Sequence, residues 1–104
     1  MIYLEASLRV VPGKMKELME VFEKEYLPVS NELGRKLVAQ WTTAIGTLDE
    51  VVDIWAYEDL AHMQRFNEAR SKSPAFAKAS EHLRALIAYE EVRLMVPTAL
   101  SAMK

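Results

Sequence analysis

The sequence predicts a single α+β domain in which helices cover one face of a four-stranded antiparallel sheet. Four stretches have the two-residue period of a strand and two regions have the 3.6-residue period of a helix, in the order β-α-β-β-α-β. The central pair of strands flanks a short connection with turn chemistry, Gly46-Thr47-Leu48-Asp49-Glu50, so those two strands form a hairpin. That order is the split βαβ arrangement of ferredoxin-like domains.

The first strand is the clearest. Ile2, Leu4, Ala6, Leu8 and Val10 share one side and Tyr3, Glu5, Ser7 and Arg9 the other, so one face meets a core. Pro12-Gly13 ends it. From Lys14 the stripe Met15, Leu18, Met19, Phe22 and Tyr26 marks a helix, which Pro28 is expected to end or bend. Val29–Arg35 then reads as a link, with Gly34 as a helix cap. The hairpin strands are Leu37–Ile45 and Val51–Tyr57. Asp59 caps a helix running from Leu60 to about Arg70; Ser71–Pro74 breaks it, and Ser73 with Pro74 starts another that carries Phe76, Ala79, Leu83 and Leu86. The last strand alternates through Tyr89, Glu91, Arg93 and Met95 and stops at Pro97. The domain therefore spans 1–97, with a C-terminal tail over 98–104.

Composition bounds the function. With 104 residues, 51% of them apolar and 27% charged, the chain is an ordinary globular domain in size and make-up. Thirteen Lys and Arg against fifteen Asp and Glu give a net charge of -2 with no basic stripe, which argues against nucleic acid as a partner. No apolar run is long enough to cross a bilayer and the N-terminus does not read as a signal peptide, so no membrane partner and a cytoplasmic location are expected. The absence of cysteine excludes disulfides and thiolate chemistry. His62 and His82 lack the spacing and companions of a metal site, and three glycines cannot build a phosphate-cradling loop; no metal and no cofactor are expected. The six methionines read as core filler.

In the third strand, Val52, Ile54 and Ala56 read as the core side. Val51, Asp53, Trp55 and Tyr57 are then expected on the open face of the sheet, with Tyr3, Glu5, Arg9, Tyr89, Glu91 and Arg93. Trp41 or its neighbours Gln40 and Thr42 join them according to register. Tyr3, Glu5, Arg9, Trp41, Asp53, Trp55, Tyr57, Tyr89, Glu91 and Arg93 thus make a candidate ligand-binding wall, aromatic with a few convergent charges, suited to a small planar or carboxylated molecule. Tyr57 or Tyr89 has the chemistry of a proton donor and Asp53 or Glu91 that of a base. The same charges can equally pair across strands, with no ligand involved. An open face this aromatic is expected to be closed by a second copy of the chain, giving a homodimer or a dimer-based oligomer built as a dimeric α+β barrel.

The hairpin also carries a family resemblance. Trp41-Thr42, Ile45-Gly46, Leu48, Val51-Val52, Ile54-Trp55, Tyr57 and Asp59-Leu60 resemble the core motif of the NIPSNAP domain. The likeness extends to Tyr3, Pro12-Gly13, Ser73-Pro74 and the closing strand up to Pro97, nearly the whole chain. The resemblance implies a dimeric α+β barrel and no established activity or cofactor. The same barrel hosts cofactor-free monooxygenases, so an oxygenase-like enzyme stands beside the ligand binder and the pure assembly module as an alternative.

Overall fold

The computed structural model describes residues 1–104. Strand β1 (Ile2–Val10) leads into α1 (Met15–Val21), a π-helical turn (Phe22–Tyr26) and α2 (Leu27–Glu32). The hairpin strands β2 (Lys36–Thr42) and β3 (Glu50–Tyr57) follow, then α3 (Leu60–Ser71), α4 (Pro74–Arg84) and β4 (Ile87–Met95). The sheet order is β2-β3-β1-β4 and every neighbouring pair is antiparallel, so the expected α+β, ferredoxin-like topology is the one formed. Asp59 and Ser73 cap α3 and α4 as expected: their side chains accept hydrogen bonds from the backbone N–H groups of His62 (2.8 Å) and Phe76 (3.1 Å).

Pro28 does not end the first helical region, which runs on to Glu32. In the π-turn the Leu27 N–H donates to the Phe22 carbonyl five residues back, which resets the hydrogen-bond ladder. Pro28 then sits in the first turn of a new α segment, where no N–H is required and its fixed φ suits the helix. The helix stops at Gly34. With φ of +104°, Gly34 donates to the Asn31 carbonyl while the Arg35 N–H donates to the Ser30 carbonyl, the paired closure of a Schellman motif. A Cβ at Gly34 would meet only the His62 ring, at 3.8 Å, so steric room is not the constraint; the backbone angle is. Gly34→Ala is therefore expected to lower the unfolding free energy by about 1 kcal/mol in a urea titration. An unchanged midpoint would show that the turn tolerates a side chain.

The register overturns the expected facing of β3. Ile2, Leu4, Ala6 and Leu8 of β1 lie opposite Tyr57, Trp55, Asp53 and Val51, and directly opposed residues share a face. Val51, Asp53, Trp55 and Tyr57 therefore point toward the helices. Val52, Ile54 and Ala56 point outward, beside Tyr3. β3 is a central strand whose residues are mostly buried on both sides, so each of its faces is apolar enough to pass for the core side. Two bulges fix the phase of the edge strands. An extra residue at Val38 separates Leu37, opposite Trp55, from Ala39, opposite Ile54, so Trp41 faces outward and Gln40 faces the helices. An extra residue at Ala88 likewise separates Ile87, opposite Val10, from Tyr89, opposite Arg9.

The main core lies between the sheet and the helices and gathers Leu8, Val10, Leu18, Phe22, Val51, Trp55, Tyr57, Phe66, Phe76 and Leu83 among others. No helix is long and apolar enough to cross a membrane.

Candidate functional site

The expected binding wall separates into two groups. Tyr3, Glu5, Arg9, Trp41, Tyr89, Glu91 and Arg93 lie on the outer sheet face, while Asp53, Trp55 and Tyr57 lie beneath the helices. Two polar contacts form among the outer residues, and Arg9 takes part in neither. Arg93 donates to both carboxylate oxygens of Glu5 at 3.2 Å, and the Tyr89 hydroxyl donates to Glu91 at 2.7 Å, which pushes that exposed phenol above its ordinary pKa. These are the cross-strand and same-strand contacts of a sheet surface.

The chemistry concentrates on the helix side instead. There the sheet and helices leave a cavity of about 560 Å³, lined by Leu4, Tyr26, Arg35, Asp53, Trp55 and Tyr57 within, and by Arg70, Arg84 and Glu90 among others. Its least expected member is Arg35, the residue after the Schellman glycine, which is only 4% exposed. Its guanidinium carbon lies 3.7 Å from the centroid of the Trp55 ring and 4.5 Å from that of Phe66, with Tyr26 at 5.5 Å. Nη2 donates to the Tyr26 hydroxyl (2.9 Å) and to Ser30 Oγ (3.2 Å). A desolvated guanidinium held by aromatic rings in this way gains about 2 kcal/mol from cation–π attraction, and its planar fork is fixed for an anion. Nε has no hydrogen-bond partner.

Asp53 faces the same cavity and is 2% exposed. Gln40 Nε2 donates to Oδ1 at 2.7 Å. Burial pushes its carboxyl up to about 6; the Gln40 hydrogen bond and the Arg35 charge pull the other way, and Glu90 adds a smaller push upward. Asp53 is therefore mostly ionised at neutral pH but close enough to titration to exchange a proton. The rings of Phe22, Tyr26, Trp55, Phe66 and Phe76 adjoin one another at 5.3–6.1 Å, and Tyr26 and Trp55 of this cluster line the cavity.

His62 ties this region together. Nδ1 accepts from the Glu58 N–H at 2.9 Å, which leaves Nε2 protonated to donate to the Gly34 carbonyl at 2.7 Å. The start of α3 is thereby fastened to the turn that presents Arg35. His82 lies elsewhere, 2.9 Å from Glu25 on the exposed surface. No group of three or more His, Asp or Glu side chains is placed to hold a metal ion.

Arg35 carried no signal in the sequence beyond its place after a capping glycine, where a basic residue usually sits in solvent near the last carbonyls. Its partners come from α2, the π-turn, β3 and α3, and only the fold brings them together.

The NIPSNAP family profile matches residues 3–102. Among solved structures, an uncharacterized NIPSNAP domain protein from Burkholderia xenovorans is 26% identical, with 97% of this chain and 98% of that chain covered and a TM-score of 0.89. A NIPSNAP family protein from Agrobacterium tumefaciens is likewise 26% identical, with 99% and 98% covered and a TM-score of 0.90. A putative antibiotic biosynthesis monooxygenase from Nitrosomonas europaea shares the fold at 12% identity, with 93% and 98% covered and a TM-score of 0.71. No curated protein matches the sequence. The profile takes in both ends of the sheet and everything between them, and this chain belongs to the NIPSNAP family, whose function is unknown.

Proposed function

We propose that the protein binds a small organic molecule in the cavity between sheet and helices, using Arg35 and Asp53 as its polar contacts and Trp55 and Tyr57 as its walls. The observation that carries this reading is Arg35, 4% exposed and with Nε unpartnered, lining the same cleft as the buried carboxylate of Asp53. Such groups cost stability, and natural domains keep them where they do work on a ligand. A fragment screen followed by protein NMR tests it. Hits should shift the Trp55 indole and Met63 methyl resonances and leave Trp41 in place, since Met63 lines the cavity and Trp41 lies 60% exposed on the outer face. Hits confined to the outer face, or none at all, would overturn the reading.

A second copy of the chain closes the outer sheet face in this proposal. Tyr3, Ile54 and Ala56 form a small apolar cluster there with Ala39, Val52 and Met95 packed against it, and the neighbouring Trp41 ring stands in solvent. A sheet face of this composition favours association. Light scattering on the eluting protein should give twice the mass of one chain, and Trp41→Glu should shift it toward the single chain. A monomeric parent at tens of micromolar would overturn the dimer while leaving the cavity reading intact.

A further inference from the structure

Two side-chain atoms narrow the chemistry of the ligand. Arg35 uses Nη2 on Tyr26 and Ser30, and Asp53 uses Oδ1 on Gln40; Nη1 and Oδ2 take no partner from the chain. Nε of Arg35 is the one enclosed side-chain nitrogen or oxygen without a hydrogen bond, so Nη1 and Oδ2 reach accessible space, and both residues line the cavity. They do not form a salt bridge with each other: no Arg35 nitrogen lies within 4.0 Å of an Asp53 oxygen. The inner cavity therefore offers one fixed cationic donor and one separate anionic acceptor, with the Trp55 and Tyr57 rings beside them.

Resting on the cavity reading above, we infer that the ligand is an aromatic hydroxy acid, its carboxylate on Nη1 of Arg35 and its hydroxyl donating to Oδ2 of Asp53. A carboxylate meets the guanidinium in a charge-assisted hydrogen bond, the strongest contact that an arginine held in place by stacked rings can make. The group that meets Oδ2 must be a donor. An ammonium would also serve, but it would bring a further cation into a lining whose arginines, Arg35, Arg70 and Arg84, already outnumber its carboxylates, Asp53 and Glu90, and burying it costs far more than burying a hydroxyl. A flat ring between the two polar groups suits walls made of aromatic and aliphatic side chains.

The test is calorimetric titration at pH 7.5 with benzoate, 3-hydroxybenzoate, 4-hydroxybenzoate, phenol and 4-(aminomethyl)benzoate, on the full chain and on Asp53→Asn. One of the hydroxybenzoates should bind at least about tenfold more tightly than either benzoate or phenol, the factor expected of one hydrogen bond to a charged group. In Asp53→Asn the advantage of the hydroxybenzoate over benzoate should vanish, because the neutral amide no longer offers the hydroxyl a charged acceptor. Equal binding of benzoate and both hydroxybenzoates would overturn the role of Asp53. Phenol binding as well as the acids would overturn the role of Arg35, and preference for the aminomethyl acid would make the ligand an amino acid instead. If none of the five binds while fragments still occupy the cavity by NMR, the hydroxy-acid inference falls alone; if the cavity is also empty in that screen, the binding function falls with it.

Discussion

Replacing Arg35 with alanine is expected to lower the unfolding free energy by about 3–4 kcal/mol. Several effects add. The cation–π contacts with Trp55 and Phe66 disappear, and the side chain that fills the space between these rings goes with them. Tyr26 and the fully buried Ser30 lose the donor that their oxygens now accept from. Asp53 loses the one nearby positive charge that holds its carboxyl down, so its pKa climbs further above about 6. Relief from desolvating the guanidinium itself offsets part of this, which keeps the expected loss below the sum of the separate terms. Urea unfolding at pH 7 measures the total, and Arg35→Met separates its causes, because methionine keeps an apolar stem between the rings while removing the charge. If the alanine variant lies within 1 kcal/mol of the parent, Arg35 is not held as tightly as its contacts indicate. A methionine variant as stable as the parent would mean that packing, and not charge, accounts for the residue.

The two halves of this site differed in how far they could be read from the amino-acid sequence, and the physical reasons are specific. β1 was legible to the residue: one alternating set is wholly apolar and the other is Tyr3, Glu5, Ser7 and Arg9, so only one facing is possible. The helix starts at Asp59 and Ser73 were equally plain, because a cap is a local hydrogen bond between residues three apart. β3 was not legible in phase. Val52, Ile54 and Ala56 are as apolar as Val51, Trp55 and Tyr57, and a strand in the middle of a sheet buries both sets. An error of one residue in phase moves every side chain to the other face, and it took Asp53, Trp55 and Tyr57 with it. The carboxylate at Asp53 was the misleading signal. It suggested an open face, whereas the residue that makes its burial tolerable is Gln40, brought opposite it by the bulge at Val38. The π-turn was hidden for a similar reason. Pro28 announces a break in an α-helical ladder, and nothing local says that the ladder has already been reset one turn earlier. Arg35 was read as a link residue because the groups that bury it are distant in sequence, and a charge is placed inside only by tertiary structure.

Asp53→Asn is expected to stabilise the protein at pH 7 by about 3 kcal/mol, an unusual direction for a substitution at a buried polar residue. The sign follows from the direction of the pKa. An unfolded aspartate ionises near its ordinary value of 3.8, and the folded one near 6. Below the ordinary value both states carry the proton and the carboxyl costs nothing extra. As pH rises from about 4 to about 6 the unfolded chain gives up its proton while the folded chain keeps it, so stability falls throughout that window and levels off above it. Roughly two pH units at about 1.4 kcal/mol each give the size of the loss. That figure already contains the attraction of Arg35, which acts on the same carboxylate and reduces the loss without cancelling it. Asparagine has no proton to lose, and its carbonyl oxygen can still accept the 2.7 Å bond from Gln40. Thermal or urea unfolding of parent and variant from pH 4 to pH 8 should therefore give curves that nearly meet at pH 4 and separate steadily up to pH 6–7. A constant difference across that range would mean that Asp53 titrates normally, and a variant less stable at pH 7 would mean that Arg35 depends on the charge more than the charge suffers from burial. If the curves separate as expected, the folded domain carries an ionised carboxylate that makes it less stable at neutral pH, facing a cavity and beside an arginine with a free edge. Packing gains nothing from that arrangement, since the neutral amide of the same shape would fold better. What the carboxylate supplies beyond its bond to Gln40 is a second charged acceptor, Oδ2, open to a molecule entering the cavity.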